Sequence, residues 1–293
     1  MNSCSIIIPC FNESGAIEST IREIFSSIKP ITVSAVEVIV VNDGSTDGSK
    51  ETLDRLSNEL QELPLRVVHH SRNLGYGAAL KTGIQRSRAE LICITDADGT
   101  YPNERIPELL QQAQEHDMVV GARIGQDVDY SKIRSIPKMI LVPWVSFLCG
   151  ANVPDMNSGL RVFHRDIALR YLKILPDGFS FTTTITICFL RNRRHVLFTP
   201  ISYSRRIGKS HIKPIKDTLR FVQLIARTGM YFAPMRLLMP LCLLFAALFG
   251  ASALFDILFL QDLTDKTILL AFISINVAMF AMLADMIDKR SDI

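Results

Sequence analysis

Two carboxylates, Asp96 and Asp98, stand two residues apart where an apolar run breaks into the turn-forming stretch "DADGTYP". A buried strand that delivers two carboxylates to one spot needs something there to neutralise them. Oxygen ligands at this spacing suit a hard divalent cation, Mg²⁺ or Mn²⁺, held jointly with substrate phosphates. Such a cation would grip a diphosphate, which points to a metal–nucleotide complex. A solvated turn is the alternative, because the same letters are good turn chemistry. Positive charge is concentrated elsewhere: Arg191, Arg193, Arg194, Arg205, Arg206, Lys209, Lys213 and Lys216 crowd one span. That cluster suits the phosphates of a ligand or of lipid headgroups. His69, His70, His116, His164 and His195 lack metal-ligand spacing and read as structural or surface residues.

The elements that would position these groups alternate between strand and helix. Compact apolar runs predict strands at 5–9, 36–43, 65–70, 91–98 and 117–123. Helical patterns lie between them at 14–28, 47–60, 75–88 and 103–116, the second with Asp47 as its N-cap. Continuous apolar strands separated by helices mean an α/β fold, a mostly parallel sheet of Rossmann-like type with helices on both faces. In such sheets ligands bind beyond the carboxyl ends of the strands. Three of those exits, "PCFNES", "NDGSTDGS" and "DADGTYP", are polar and turn-rich, and side by side they would form one pocket. "GYGAAL" (75–80) is a weak partial match to a dinucleotide fingerprint, lacking the third glycine. Close helix–sheet packing, or a contact at the pocket through a helix N-terminus, explains it better.

Of the 293 residues 48% are apolar, and the excess lies after residue 230. The runs 237–260 and 267–283 would span about 36 and about 26 Å, against a hydrocarbon core of about 30 Å, and the second extends to 267–285 by borrowing Ala284 and Asp285. With the short linker "QDLTDK" they read as a transmembrane hairpin. Arg227, Arg236, Lys289 and Arg290 flank its two ends and place both in the cytoplasm. Asp256 inside the first span would lie near the far interface or pair with Asn276. Segments 131–150 and 215–235 resemble interfacial amphipathic helices, with Trp144 as an interface anchor. The chain therefore divides into 1–213, 214–235 and 236–293. Six cysteines without a CxxC pair read as small buried hydrophobes in a reducing compartment. No signal peptide precedes the first strand, so the bulk of the chain is expected in the cytoplasm, at the cell membrane. A net charge of +3 without a zinc-finger or helix-turn-helix signal gives no reason to expect nucleic acid.

Seven motifs occur in order: "IIIPCFNES", "VIVVNDGSTDGS", "RNLGYGAALKTG", "ITDADG", "VVGAR", "DMNSGLRVF" and "SRRIGKSHIK". Together they resemble the family 2 glycosyltransferases of GT-A fold. Within these the chain is most similar to the polyprenyl-phosphate group, which contains dolichol-phosphate mannose synthases and bacterial undecaprenyl-phosphate sugar transferases. The resemblance covers about residues 3 to 215. It implies that Pro9, Asn12, Glu13 and Asp43 contact the nucleotide, and that Asp96, Ala97 and Asp98 form the "DxD" holding sugar diphosphate and metal. It implies further that Arg123, Arg134, Lys138, Asp155, Ser158, Arg205 and Ser210 surround the acceptor phosphate. Asp96, Asp98, Arg123 and Arg205 would carry the reaction. Two positions depart from the pattern: Thr100 replaces a common glutamine after the DxD, and His211 replaces the lysine ending the last motif.

The expected reaction moves a sugar, with inversion, from a GDP- or UDP-linked donor to a polyprenyl phosphate. A phosphate acceptor, largely ionised near neutrality, needs positioning and charge shielding rather than a strong base. Two rivals keep a glycosyltransferase fold. A processive polysaccharide synthase commonly has "QxxRW" and more membrane helices, neither present here. A glycolipid hydroxyl acceptor would make Asp155 the base. A non-catalytic nucleotide-sugar scaffold is the third rival. A two-helix anchor this small gains from partner helices, so self-association through the hairpin is also expected.

Overall fold

The computed structural model describes residues 3–28, 36–124, 143–204, 223, 226–227, 229–230 and 233–291. Seven strands form one sheet: β1 (Cys4–Cys10), β2 (Val36–Asn42), β3 (Leu65–His69), β4 (Leu91–Ile94), β5 (Met118–Ala122), β6 (Arg161–His164) and β7 (Val196–Pro200). Their order is β3-β2-β1-β4-β6-β5-β7. Every pairing is parallel except those of β6, which runs antiparallel to both β4 and β5. β1 is buried along its whole length, as an interior strand covered on both faces requires. Side chains alternate across it. Ile6 and Ile8 join the cluster built with Ile17, Ile21 and Ile24 of helix α1 (Ile17–Ile28), Leu53 and Leu56 of α2 (Ser49–Glu59) and Leu109 of α4 (Ile106–Gln112). Ile7 points the other way, onto Gly83 of α3 (Tyr76–Arg86). Helices α6 (Arg165–Tyr171) and α7 (Phe181–Arg191) follow β6.

The five expected strands and four expected helices are all present, with shorter ends. β4 stops at Ile94 rather than 98, because the aspartates already belong to a turn closed by left-handed Gly99. Asp47 does not cap α2; Gly48 occupies the N-cap, and Asp47 accepts the Ser49 and Ser14 N–H groups instead. The expected helix 103–116 splits into a 3₁₀ turn (Asn103–Arg105) and α4. β6 and β7 had no expectation. The antiparallel sense of β6 matters most for function. It pairs Arg161, its first residue, with Ile94, the last residue of β4, so the loop entering β6 arrives where β4 releases its two aspartates.

The chain divides into two compact units, Met1–Pro143 with Asn152–Asp217, and Trp144–Ala151 with Thr218–Ile293. The sheet belongs to the first. In the second, α5 (143–149) ends at left-handed Gly150, where Arg236 donates to the Phe147 and Leu148 carbonyls and matches the negative end of the helix dipole. Helix α8 (Pro234–Phe255) continues through a π turn (Asp256–Leu260), and α9 (Asp265–Ser291) returns alongside it. Both are long and apolar enough to cross a membrane, and both expose large apolar side chains such as Leu243, Phe259, Phe272 and Phe280. Asp256 does not pair with Asn276. Its carboxylate accepts the Thr264 N–H and hydroxyl and the Thr267 hydroxyl, while Asn276 donates to the Phe272 carbonyl of its own helix. The interhelical turn brings those threonines within reach, whereas Asn276 lies three turns further along α9. Most of the expected interfacial helices 131–150 and 215–235 falls outside the described residues.

Gly83 sets how closely α3 lies on β1, since an added Cβ would come 2.5 Å from Ile7 Cγ2. Gly83→Val is expected to cost about 1–3 kcal/mol by overpacking, measured as a lowered midpoint in thermal unfolding of the purified protein.

Candidate donor and acceptor site

The exits of β1 and β2 are tied to each other by side-chain to backbone bonds. Asn12, in the left-handed region, receives the Thr46 N–H on its Oδ1 at 2.8 Å, and its own N–H donates to Ser45 Oγ. The Glu13 N–H donates to Ser49 Oγ, and the Ser14 N–H to Asp47. Pro9 pairs in register with Val41 behind this junction. Pro9, Asn12, Glu13 and Asp43 are therefore assembled at one place. Asp43 is buried and serves the architecture. Its oxygens accept His70 Nδ1–H at 2.7 Å, the Leu74 N–H at 2.9 Å and the Gly75 N–H at 2.8 Å. The far nitrogen of His70 is fixed by Thr82. Asp43 thus shapes the turn that delivers the N-terminus of α3.

Beyond β4 the two aspartates have different surroundings. Asp98 is buried and its Oδ1 accepts the Thr100 hydroxyl at 2.7 Å and the Thr100 N–H at 3.2 Å. The residue that departs from the motif therefore orients the second aspartate. Asp96 is half-buried, and its Oδ1 accepts the Tyr76 hydroxyl at 2.9 Å. Burial, with Asp96 beside it, raises the Tyr76 phenol well above its ordinary range, so it remains a donor. The backbone of the β6 loop covers Asp96 from the other side: a Cβ on Gly159 would fall 2.8 Å from both carboxylate oxygens. Gly159 is held there by donating to the Tyr101 hydroxyl. Ala97 lies between the aspartates, buried, with its carbonyl accepting from Thr20.

The third acidic residue is neutralised within the protein. Asp155 faces Arg123 in a two-pronged ion pair, Nε to Oδ2 at 2.7 Å and Nη2 to Oδ1 at 3.0 Å, and the Arg123 and Asn157 N–H groups add to it. Burial pushes the Asp155 carboxyl up. The guanidinium and the two N–H groups pull it down further, leaving it below the usual carboxylate range. Arg123 also lies over the Tyr203 ring, 5.1 Å from its centre, and Tyr203 meets Tyr101 edge-on. Ser158 is fully buried and donates to the Gly121 carbonyl, which joins the loop to β5. Arg161 at the start of β6 is fully buried. It donates to the Ser158 and Thr182 carbonyls and the Thr186 hydroxyl, and desolvation lowers its guanidinium to about 10.

The fold therefore brings together Asp96, Ala97, Asp98 and the Asp155–Ser158 loop with Arg123. Arg134, Lys138, Arg205 and Ser210 lie outside the described residues. Tyr76, Tyr101, Gly159, Arg161 and Tyr203 were missed by sequence reasoning. Tyr76 lies inside "GYGAAL", within the motif "RNLGYGAALKTG", but no role was expected of its side chain. Among the described residues no cluster of three or more His, Cys, Asp or Glu forms a complete metal site. Asp96 and Asp98 nevertheless fit a divalent cation that takes its remaining ligands from a diphosphate and water. They are hard oxygen donors, and the glycine at 159 leaves the space beside Asp96 that a side chain would fill.

Similarity to known proteins agrees with this architecture. The glycosyl transferase family 2 model matches residues 5–179. The undecaprenyl-phosphate 4-deoxy-4-formamido-L-arabinose transferase of Pseudomonas fluorescens (strain Pf0-1) is 28% identical over 80% of this chain and 66% of its own length. Its namesake from Photorhabdus laumondii is 27% identical over 86% and 81%. The hexosyltransferase Agl6 of low-salt glycan biosynthesis in Haloferax volcanii is 26% identical over 75% of this chain, which spans about half of that relative (52%). Among solved structures, glucosyl-3-phosphoglycerate synthase of Mycobacterium tuberculosis, in complex with Mn²⁺, UDP and glucosyl-3-phosphoglycerate, has a TM-score of 0.57 at 20% identity, covering 78% of this chain and 80% of the synthase. At that identity the likeness concerns the fold. The family match covers more than half of the chain and carries the motifs at the three strand exits, so this protein belongs to glycosyl transferase family 2.

Proposed function

We propose that this protein transfers a sugar from a nucleoside-diphosphate donor to a polyprenyl phosphate at the cytoplasmic face of a membrane, inverting the sugar's anomeric configuration. The observation that carries this reading is the pairing of roles at the β4 and β5 exits. Beside the Asp96–Asp98 pair Gly159 leaves the space that a side chain would fill, while Asp155 at the β5 exit is committed to Arg123. Asp155 has no place as a general base for a hydroxyl acceptor, because its salt bridge keeps it a weak base. A phosphate acceptor needs none. The relatives named for undecaprenyl phosphate support the acceptor class, and the apolar helices α8 and α9 support a membrane location for it.

In this reading Pro9, Asn12, Glu13 and Asp43 bind the nucleoside. Asp43 does so with the acceptor capacity left beyond its three donors, a carboxylate having about four lone-pair sites. Asp96 and Asp98 hold the sugar diphosphate through Mg²⁺ or Mn²⁺. The bound cation supplies Lewis-acid neutralisation of the departing diphosphate. Ala97 keeps the two carboxylates on one turn, and Thr100 fixes the rotamer of Asp98. Arg123, held flat by Asp155 and Tyr203, shields the incoming acceptor phosphate from the donor's negative charge. Arg134, Lys138, Arg205 and Ser210 complete that shielding. Ser158 anchors the loop against β5. In-line attack on the far face of the sugar carbon then inverts it. By the positive-inside rule, Arg227 and Arg236 at one end of the hairpin and Lys289 and Arg290 at the other keep both ends in the cytoplasm.

Incubating the detergent-solubilised protein with Mn²⁺ or Mg²⁺, undecaprenyl or dolichyl phosphate, and a panel of UDP- and GDP-sugars should release one nucleoside diphosphate and yield a lipid-linked sugar. Exclusive transfer to diacylglycerol or ceramide would overturn the phosphate-acceptor reading. Chelation by EDTA should abolish turnover and added Mn²⁺ or Mg²⁺ restore it, while Asp98→Ala should lower turnover by about 100-fold or more. Asp155→Asn should cost about 1.5–3 kcal/mol of stability near neutral pH through lost charge-assisted hydrogen bonds. Because the folded Asp155 carboxyl lies below its unfolded value of about 3.9, wild type keeps this advantage above about pH 4. It should lose the advantage as pH falls further, which parallel acid-unfolding curves would reveal.

A further inference from the structure

The Tyr76 side chain touches the first aspartate of the DxD directly, and the surrounding backbone is built to hold it there. Its hydroxyl donates to Asp96 Oδ1 at 2.9 Å. Its ring is stacked on Phe179, 5.5 Å between centres and 21° between planes. Phe179 belongs to the turn between α6 and α7, and it is 72% exposed. An exposed aromatic ring costs free energy in water; this one covers the face of the residue that grips Asp96.

The contact between that turn and α3 leaves no slack. A Cβ at Gly75 would collide with the Asp177 carbonyl oxygen, and one at Gly77 with the Pro176 carbonyl oxygen. The Asp177 carbonyl accepts the Ala78 N–H at 3.1 Å, and the Asp177 carboxylate receives Lys81 Nζ at 2.7 Å. Gly75 sits at φ +109° with its N–H on Asp43. Tyr76 is therefore fixed from both sides, by the Asp43-organised turn before it and by the 176–179 turn against it.

We propose that Tyr76, backed by Phe179, is a positioning residue that occupies one oxygen of Asp96 and so aims the other at the donor's diphosphate and its cation. A carboxylate with one oxygen satisfied by a fixed donor loses a rotational choice, and outer-sphere partners of this kind commonly govern cation affinity. This inference rests on the donor-site reading above, and it concerns binding, not bond making: Tyr76 reaches the substrate only through Asp96.

The test is Mn²⁺ affinity of the purified full chain, followed by the electron paramagnetic resonance signal of free Mn²⁺ with UDP, with GDP and with neither. Tyr76→Phe should weaken Mn²⁺ binding by about 10–100-fold, with the ligand-free unfolding midpoint within about 4 °C of wild type. Phe179→Ala removes an exposed ring and keeps the hydroxyl. It should weaken binding by a smaller factor, and it serves as the second variant should Tyr76→Phe fold poorly. Wild-type affinity in both folded variants, or in Phe179→Ala alone if Tyr76→Phe does not fold, overturns the inference and leaves the proposed function standing. Absence of saturable Mn²⁺ binding by wild type in all three conditions overturns the donor-site reading, and this inference with it.

Discussion

Holding carboxylates out of water at one edge of a sheet is the constraint around which the catalytic unit is organised. Asp43, Asp98 and Asp155 are all buried there, and Asp96 is half-buried beside them. A buried carboxylate without donors costs several kcal/mol. The fold meets that cost by a different device at each position. Asp43 takes two backbone N–H groups and a histidine, Asp98 takes Thr100, Asp155 takes a guanidinium, and Asp96 takes a phenol. Asp96 and Asp98 are the pair proposed to hold the external cation.

These devices also connect the elements. The donors to Asp43 come from the β3–α3 turn, so satisfying that carboxylate sets the start of α3 and, one residue later, Tyr76. The donor to Asp155 is the residue that follows β5, so satisfying it locks the β6 loop to the β5 exit. Arg161 completes the frame from below, binding the Ser158 and Thr182 carbonyls and thereby joining the loop to α7. Desolvation makes this an expensive cation. Asp155 nearby and the carbonyls that accept from Arg161 offset part of that cost. Packing, charge neutralisation and site geometry are the same set of contacts.

The second unit solves a different problem. Helices with apolar side chains all round find no partner surface in water, and α8 and α9 expose theirs while pairing with each other. The polar groups they do carry are satisfied at the turn, where Asp256 gathers Thr264 and Thr267, and at Ser252, which meets Thr267 at 2.6 Å. A backbone or carboxylate left unpaired in hydrocarbon would cost several kcal/mol. The knot at the turn keeps the hairpin closed at the end remote from its basic flanks.

Much of this was legible in the sequence, for reasons of local physics. Period and apolar run length specify β1 to β5 and the helices between them, because a strand covered on both faces must be apolar throughout and its helices must be striped. The aspartates, glycines and asparagines at the strand exits specify a polar pocket, because those residues favour turns whatever surrounds them. Apolar length specifies two helices long enough to cross a membrane. The family motifs identified the chemistry for the same reason: each is a short contiguous stretch. Other features depended on tertiary structure. β6 is four residues long and antiparallel, and no local pattern shows that Arg161 will lie beside Ile94 and carry Gly159 onto Asp96. Nor does any spacing pair Tyr76 with Asp96 or Arg123 with Asp155, groups 20 and 32 residues apart. A sequence sets what each residue can offer over a few neighbours, since backbone preferences and side-chain period are local. Which donor meets which carboxylate is a matter of chain crossing and strand order, and that is settled only when the sheet closes.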